Sequence, residues 1–467
     1  MSRTSRPPLA SLDPADAWRP WQPDKHNPWS LKWAGHAYRR LAFGARRDEL
    51  RQAVAQGHSA TLDRLLSGGP GQEEFDELVD DTTKGLSHDA EESTLHEYQA
   101  VWLYRMLHSP HPLRERLTLF WHNHFATSIA KVRQPALMQQ QNALIRKHAL
   151  GKFRSLVVEM SRDPAMLIWL DSNSNVKGQP NENFARELME LFTLGVGHYT
   201  ENDVRQAARA FTGWHTAGGK FIFNEAQHDG GRKTVVGRTG NWDGTGVLRI
   251  LLAQKAAARF LVRKLYRHFI NEHDKPPDHL LEPLAEEFRN SDYDIAGVLR
   301  TMARSRHFFS DHAYRQRVKS PVEFALGLVH SLEGQVAPTA LAAGLDGLGQ
   351  NLFSPPNVKG WVGGKAWLNS ATVLARHNLA WAVVGGEDAT FNEHIDVAAL
   401  VRKHAGKGNA GQLGFLLDLF LQGDVEPSAR HKLVDYLKAT NPKGVELDKR
   451  LRETAHTILL MPEYQLA

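Results

Sequence analysis

Along most of the chain, apolar residues recur at intervals of three and four, and alternation of apolar with polar positions is confined to one short region. The sharpest helical pattern is PNENFARELMELFTL, from Pro180 to Leu194. At about 100° per residue, Phe184, Leu188, Leu191 and Phe192 fall on one arc, which Ala185 and Met189 widen. Pro180 marks the first turn and Gly195 with Gly197 mark the exit. Asn183, Glu187 and Glu190 form a polar stripe beside that arc, with Glu187 lying angularly between Leu191 and Leu194. A carboxylate in that position needs a partner. Glu182 with Arg186, and Arg186 with Glu190, have the i, i+4 spacing that would provide one.

The same periodicity predicts helices at about 48–56, 59–67, 92–108 and 134–149, several across 246–334, and five more at about 370–385, 396–405, 411–422, 427–439 and 446–460. Pro112 opens the helix PLRERLTLFWHNHFA, Asp163-Pro164 starts another, and Thr200 to Asp203 and Ser320 to Glu323 have the form of capping boxes. Gly68 to His88, acidic and glycine-containing, reads as a surface connection. Two blocks break the helical regime. In residues 218–246, the β-prone runs Lys220 to Phe223 and Thr234 to Val236 flank the polar turn His228-Asp229-Gly230-Gly231, which predicts one hairpin with His228 and Asp229 at its tip. Residues 351–369, NLFSPPNVKGWVGGKAWLN, read as a fixed loop carrying Trp361 and Trp367. The predicted fold is therefore mainly α: a multi-helix globular body with one small β-hairpin insertion. An arm at 1–30 precedes a helical region at 31–215, the hairpin at 216–246 and a second helical region at 247–467 that continues the first as one body.

Composition narrows the classes. With 42% hydrophobic and 23% charged residues, the chain is ordinary for a globular protein, and 57 Lys+Arg against 52 Asp+Glu gives no basic excess that would argue for nucleic acid. No apolar run is long enough to span a bilayer, and the first residues lack the apolar core of a secretory signal, which makes the cytoplasm the default expectation and the periplasm or export the alternative. The absence of cysteine removes disulfides, thiolate metal sites and a cysteine nucleophile.

Two stretches carry candidate chemistry. Counted from Asp171, oxygen-bearing side chains stand at positions one, three, five and twelve (Asp171, Asn173, Asn175, Glu182), the ligand spacing of a twelve-residue calcium loop. Val176 replaces the glycine of that pattern, so a solvated turn with Asx hydrogen bonds is the competing reading. In the Pro112 helix, His124 shares a face with Leu113, Leu117, Phe120 and Trp121 while His122 points the other way, so the two cannot easily chelate one metal. His124 is then either a satisfied core histidine or a ligand or proton carrier.

FWHNHFATS, DPAMLIWLD, PNENFARELMELFTLGVGHYTENDV, HDGGRKTVVG and PPNVKGW, in this order, make the chain similar to the bacterial domain-of-unknown-function 1800 family from about His36 to Tyr464. The family motifs fall on His122, His124, Asp171, Asn175, Asn181, Glu182, Asn183, Arg186, Glu187, Glu190, His228, Asp229, Asn357, Lys359 and Trp361. The resemblance implies a mostly helical protein, often exported. It also implies a neighbour-encoded partner resembling phosphatases and sulfatases. It implies no particular reaction.

Two functions are compatible with these residues. One is a metal-dependent enzyme, a hydrolase in preference to an oxidoreductase, that gathers His124, Glu187, Glu190, His228 and Asp229 as acid/base groups or transition-metal ligands. The paired Glu-x-x-His motif of di-iron bundles is missing. The other is a non-catalytic helical binding or assembly partner of the phosphatase/sulfatase-like protein, with at most a structural calcium or magnesium ion in the 171–182 loop. Millimolar calcium or magnesium raises the melting temperature if that loop holds an ion and leaves it unchanged if the loop is an Asx turn.

Overall fold

The computed structural model describes residues 6–86, 92–334, 336–385, 395–406, 408–439 and 442–467. Helices follow the apolar periodicity closely: Arg47–Gln56, His58–Ser67, Glu92–His108, Pro112–His124, Pro135–His148, Lys255–Phe269, Pro321–Ser331, Ser370–Val384 and Val445–Leu460 are among them. The start signals act as expected. Asp163 accepts from Met166 N at 2.8 Å, and Thr200 with Asp203 and Ser320 with Glu323 close reciprocal capping boxes.

Two large apolar clusters hold these helices. The first runs from the N-terminal segment through Tyr314. The second joins the Glu92–His108 helix to the helices after Pro321. Pro112–His124 lies between them, giving Leu113, Leu117 and Trp121 to the first and Leu119 to the second. The described part of the N-terminal arm packs on the first cluster: Trp21 stacks on Phe309 with ring centroids 4.4 Å apart, and Trp18 Nε1 donates to Leu280 O at 2.6 Å. Among the described residues no helix is long and apolar enough to cross a membrane.

Three expectations need correction. Much of the supposed connection after Gly68 is a helix, Gln72–Lys84, whose acidic face is fastened by Arg105 and Arg114 to Asp76 and by Arg105 to Asp80; His88 lies outside the described residues. The β region is two hairpins. Trp214–Ala217 (β1) pairs with Lys220–Phe223 (β2), and Lys233–Val235 (β3) with Arg238–Gly240 (β4). The turns decide this pairing: Gly218 and Gly219 have φ of 56° and 70°, and Val236 and Gly237 have 44° and 72°, the positive values that two-residue hairpin turns require. His228 and Asp229 therefore lie between the hairpins and not at a tip. Finally, the central helix begins at Asn183, not Pro180. Asn175 Oδ1 accepts from Asn181 N and Asn181 Oδ1 from Asn183 N, at 2.9 Å each, so side chains take the amides that a helix start would use. From Leu188 to Thr193 it widens into a π-helical turn, with Leu194 N bonded to Met189 O at 3.0 Å.

The buried N-cap Asp163 gives a pH signature. Burial pushes its carboxyl up to about 7, against hydrogen bonds from Met166 N and Gln141 that favour the charged form. The folded chain thus holds a proton that the unfolded chain releases near pH 4, so stability falls as pH rises from about 4 to about 7 and is level above that. Asp163→Asn keeps the cap and removes the titration. Its melting temperature should exceed that of the wild type at pH 8, and the gap should close towards pH 4.

Candidate functional site

Between the two apolar clusters lies a cleft of about 400 Å³. The Pro112–His124 helix, the Lys255–Phe269 helix, the segment 317–323 and the loop 357–367 form its walls. Lys264, Arg267 and His268 reach it from one helix because i, i+3 and i+4 share a face. Five Lys or Arg side chains line it (Arg116, Lys264, Arg267, Arg317, Lys359) against two carboxylates, Glu272 and Glu323. Phe120, Trp361 and Trp367 give it aromatic surface.

The floor is a buried ion triad. Glu323 Oε1 accepts from Arg317 at 3.0 Å and from Arg116, its Oε2 accepts from Ser320 N at 2.7 Å, and Arg116 also donates to Ala42 O at 2.6 Å. Burial alone would raise the Glu323 carboxyl, but the two guanidinium groups hold it well below the usual carboxylate range. The triad still carries one positive charge in excess. Arg116 and Arg317 are 1% and 5% exposed, and the Nε of each, like His268 Nε2, is buried without a hydrogen-bond partner.

His124 and Lys264, which line the cleft, are held from the π turn. Leu191 and Phe192 lie in the last turn of that helix, where carbonyls have no intrahelical partner and can accept from outside it. His124 Nε2 lies 3.1 Å from Phe192 O, so that nitrogen carries the ring hydrogen. His124 Nδ1 then accepts from Lys264 Nζ at 2.9 Å, and Lys264 also donates to Leu191 O at 3.0 Å. Burial, the largest influence on it, holds the imidazole well below its usual pKa and keeps it neutral. Both His124 nitrogens are thereby occupied. His122 faces the other way and packs against Trp102, Phe353 and Trp361, where burial lowers its pKa to about 3.

The opposite wall is the loop 357–361, clamped by Asn123. Its Oδ1 accepts from Trp361 N at 2.7 Å and its Nδ2 donates to Trp361 O at 3.3 Å, so one side chain imitates a strand partner. Gly360 permits this: its φ is 77°, and a Cβ there would stand 2.2 Å from Asn123 Oδ1.

These contacts join the HNH and NVKGW segments at one cleft. A family model described as a protein of unknown function, DUF1800, matches residues 36–466. The chain belongs to the DUF1800 family. No curated protein and no solved structure matched it.

Of the candidate residues read from the DUF1800 sequence, His124 lines the cleft. Glu187 is half-buried; burial and then Glu190 raise its carboxyl, while Lys359 of the clamped loop and Arg186 oppose them. Glu190 accepts from Tyr199 OH at 3.3 Å. His228 and Asp229 fold back on the end of the Glu201–Ala210 helix. His228 Nδ1 donates to Thr212 O at 2.8 Å, and Arg209 pairs with Asp229 at 2.7 Å, which lowers that carboxyl to about 2. They share no hydrogen bond, ion pair or ring contact with His124, Glu187 or Glu190. Among the described residues no three His, Asp or Glu side chains are placed to hold one metal ion.

The 171–182 loop uses its oxygens internally. Asp171 accepts from Lys131 at 2.8 Å, Asn173 exchanges two hydrogen bonds with Thr216, Asn175 bonds Asn181 N and Ala208 O, and Glu182 pairs with Arg186 at 2.8 Å. Sequence reading did not single out Asn123, Arg116, Lys264 or Arg317, and gave Glu323 only the role of closing a capping box. The one signal that could have found part of the set is the spacing of Lys264, Arg267 and His268 on one helical face.

Gly360→Ala should lower stability by roughly 2 kcal/mol, because an L side chain at positive φ costs about 1–2 kcal/mol before any clash. Urea unfolding followed by tryptophan fluorescence measures it, and a shift below ~0.5 kcal/mol would show that the clamp is loose.

Proposed function

We propose that this protein binds a small acidic ligand, one bearing a carboxylate, phosphate or sulfate group, in the cleft between its two apolar clusters. The observation that carries the reading is the pair of buried guanidinium groups, Arg116 and Arg317, which line that cleft and together carry one positive charge beyond that of Glu323. An anion beside them makes charge-assisted hydrogen bonds and balances the excess charge of the triad. Trp361 and Trp367 supply apolar contact for the rest of a ligand of this size.

The hydrolase expected from the sequence is compatible with such a ligand, as a substrate whose acidic group is held by the arginines. The assembly role needs a face for a macromolecule, and a cleft of about 400 Å³ is of a size that suits a small molecule instead. Arg267 and Lys359 are exposed at the mouth and form no ion pair among the described residues, which suits them to draw an anion inward.

Thermal shift and calorimetry with inorganic phosphate, sulfate and a small dicarboxylate test this. At ten times the dissociation constant the ligand adds about 1.4 kcal/mol of stability. The double variant Arg267→Ala/Lys359→Ala should fold normally and weaken binding at least threefold, and added salt should do the same to the wild type. The reading fails if none of the three anions shifts the melt at 10 mM, roughly the concentration at which a millimolar site is saturated.

A further inference from the structure

We propose that Lys264 is a nucleophilic amine, placed to form an imine with the carbonyl carbon of a small acidic aldehyde or 2-oxo acid held in the cleft. This rests on the anion reading above and adds to it a substrate class and a covalent step.

Among the described residues Lys264 has no carboxylate partner, although it lines a cleft between packed helices. Its Nζ has two acceptors, His124 Nδ1 at 2.9 Å and Leu191 O at 3.0 Å. Neither can be exchanged for a donor. Leu191 O is a carbonyl, and His124 Nδ1 is fixed as an acceptor because its other nitrogen donates to Phe192 O. Two acceptors match the two hydrogens of a neutral amine and leave its lone pair free. An ammonium would have a third hydrogen, for which the described residues offer no further acceptor atom; the Phe260 ring lies 4.8 Å from Nζ. Such a contact offers a cation about 0.5–1 kcal/mol. Burial, and after it the charge on Arg267, act against the ammonium more strongly and bring the group down to about 7. The amine is therefore substantially neutral at neutral pH, as a nucleophilic lysine must be.

The step balances without an added oxidant or reductant. The nitrogen lone pair forms a bond to the carbonyl carbon as the C=O π electrons move to oxygen. The oxygen then leaves as water with the two amine hydrogens, and a C=N bond remains. Once protonated, the imine has one N–H, for which His124 Nδ1 is the waiting acceptor. The acidic group of the same molecule is what Arg116 and Arg317 would hold.

The test uses the full chain and pyridoxal 5′-phosphate as a probe carrying both an aldehyde and an anion, with borohydride reduction at pH 7 and peptide mapping by mass spectrometry. The expected result is a reduced adduct on Lys264 with at least tenfold preference over any exposed lysine, since an ordinary lysine of pKa about 10.4 is almost fully protonated there. Excess inorganic phosphate should protect it. Lys264→Arg should lose the adduct while keeping its circular-dichroism melt; the wild-type peptide map stands without that variant if it does not fold. Adducts on surface lysines with Lys264 unmodified, at pH 7 and again at pH 9, would overturn the proposal. Pyridoxal, which lacks the phosphate, separates the two readings. Labelling of Lys264 by pyridoxal with no protection by phosphate sinks the anion site and keeps the lysine. Phosphate binding with no adduct on Lys264 sinks the lysine and keeps the anion site.

Discussion

The burial of Glu323 between Arg116 and Arg317 is the constraint around which the centre of this molecule is arranged. Removing three charges from water costs several kcal/mol per ion, and only close geometry with further hydrogen bonds offsets it. The chain meets that demand with parts of three segments. Ser320 N caps the free oxygen of Glu323, Ala42 O takes a hydrogen of Arg116, and the capping box of the Pro321–Ser331 helix aims the carboxylate. Because the triad lies where the two apolar clusters meet, it fixes how the N-terminal and C-terminal helices sit on each other.

A second departure from regularity works with the first. The central helix ends in a π turn at Leu188–Thr193, and carbonyls of that last turn become acceptors for His124 and Lys264. Such turns are often kept where a helix serves a site. Here one fixes the tautomer of an imidazole and, through it, the direction in which an amine can donate. The Asn123 clamp on Trp361 holds the loop on the other side of the cleft with two hydrogen bonds.

Several residues that looked most chemical in the sequence bond neighbouring backbone and side chains. Asn173 and Asn175 tie a turn to the first hairpin and to the Glu201–Ala210 helix, Asp171 answers Lys131, and Asp229 answers Arg209. Polar side chains that hydrogen-bond backbone groups are cheap ways to fix an irregular path, and a motif rich in them can specify shape as well as reactivity. The cleft draws instead on cations within ordinary-looking helices, where an arginine in RER or a lysine in RKLYRHF gives no local hint of burial.

What the sequence determined by itself is the local architecture: helix positions from three- and four-residue periodicity, their starts from Asp163, Thr200 and Ser320, the opposed directions of His122 and His124, and the irregular path of residues 351–369. These follow from backbone geometry and short-range hydrogen bonds, which are encoded within a few residues. Tertiary structure alone decided which strands paired, where the central helix widened, and that Arg116, Lys264, Arg317 and Glu323 meet. Those outcomes depend on the desolvation of charges brought together from segments as much as 207 residues apart, a quantity that no window along the chain contains.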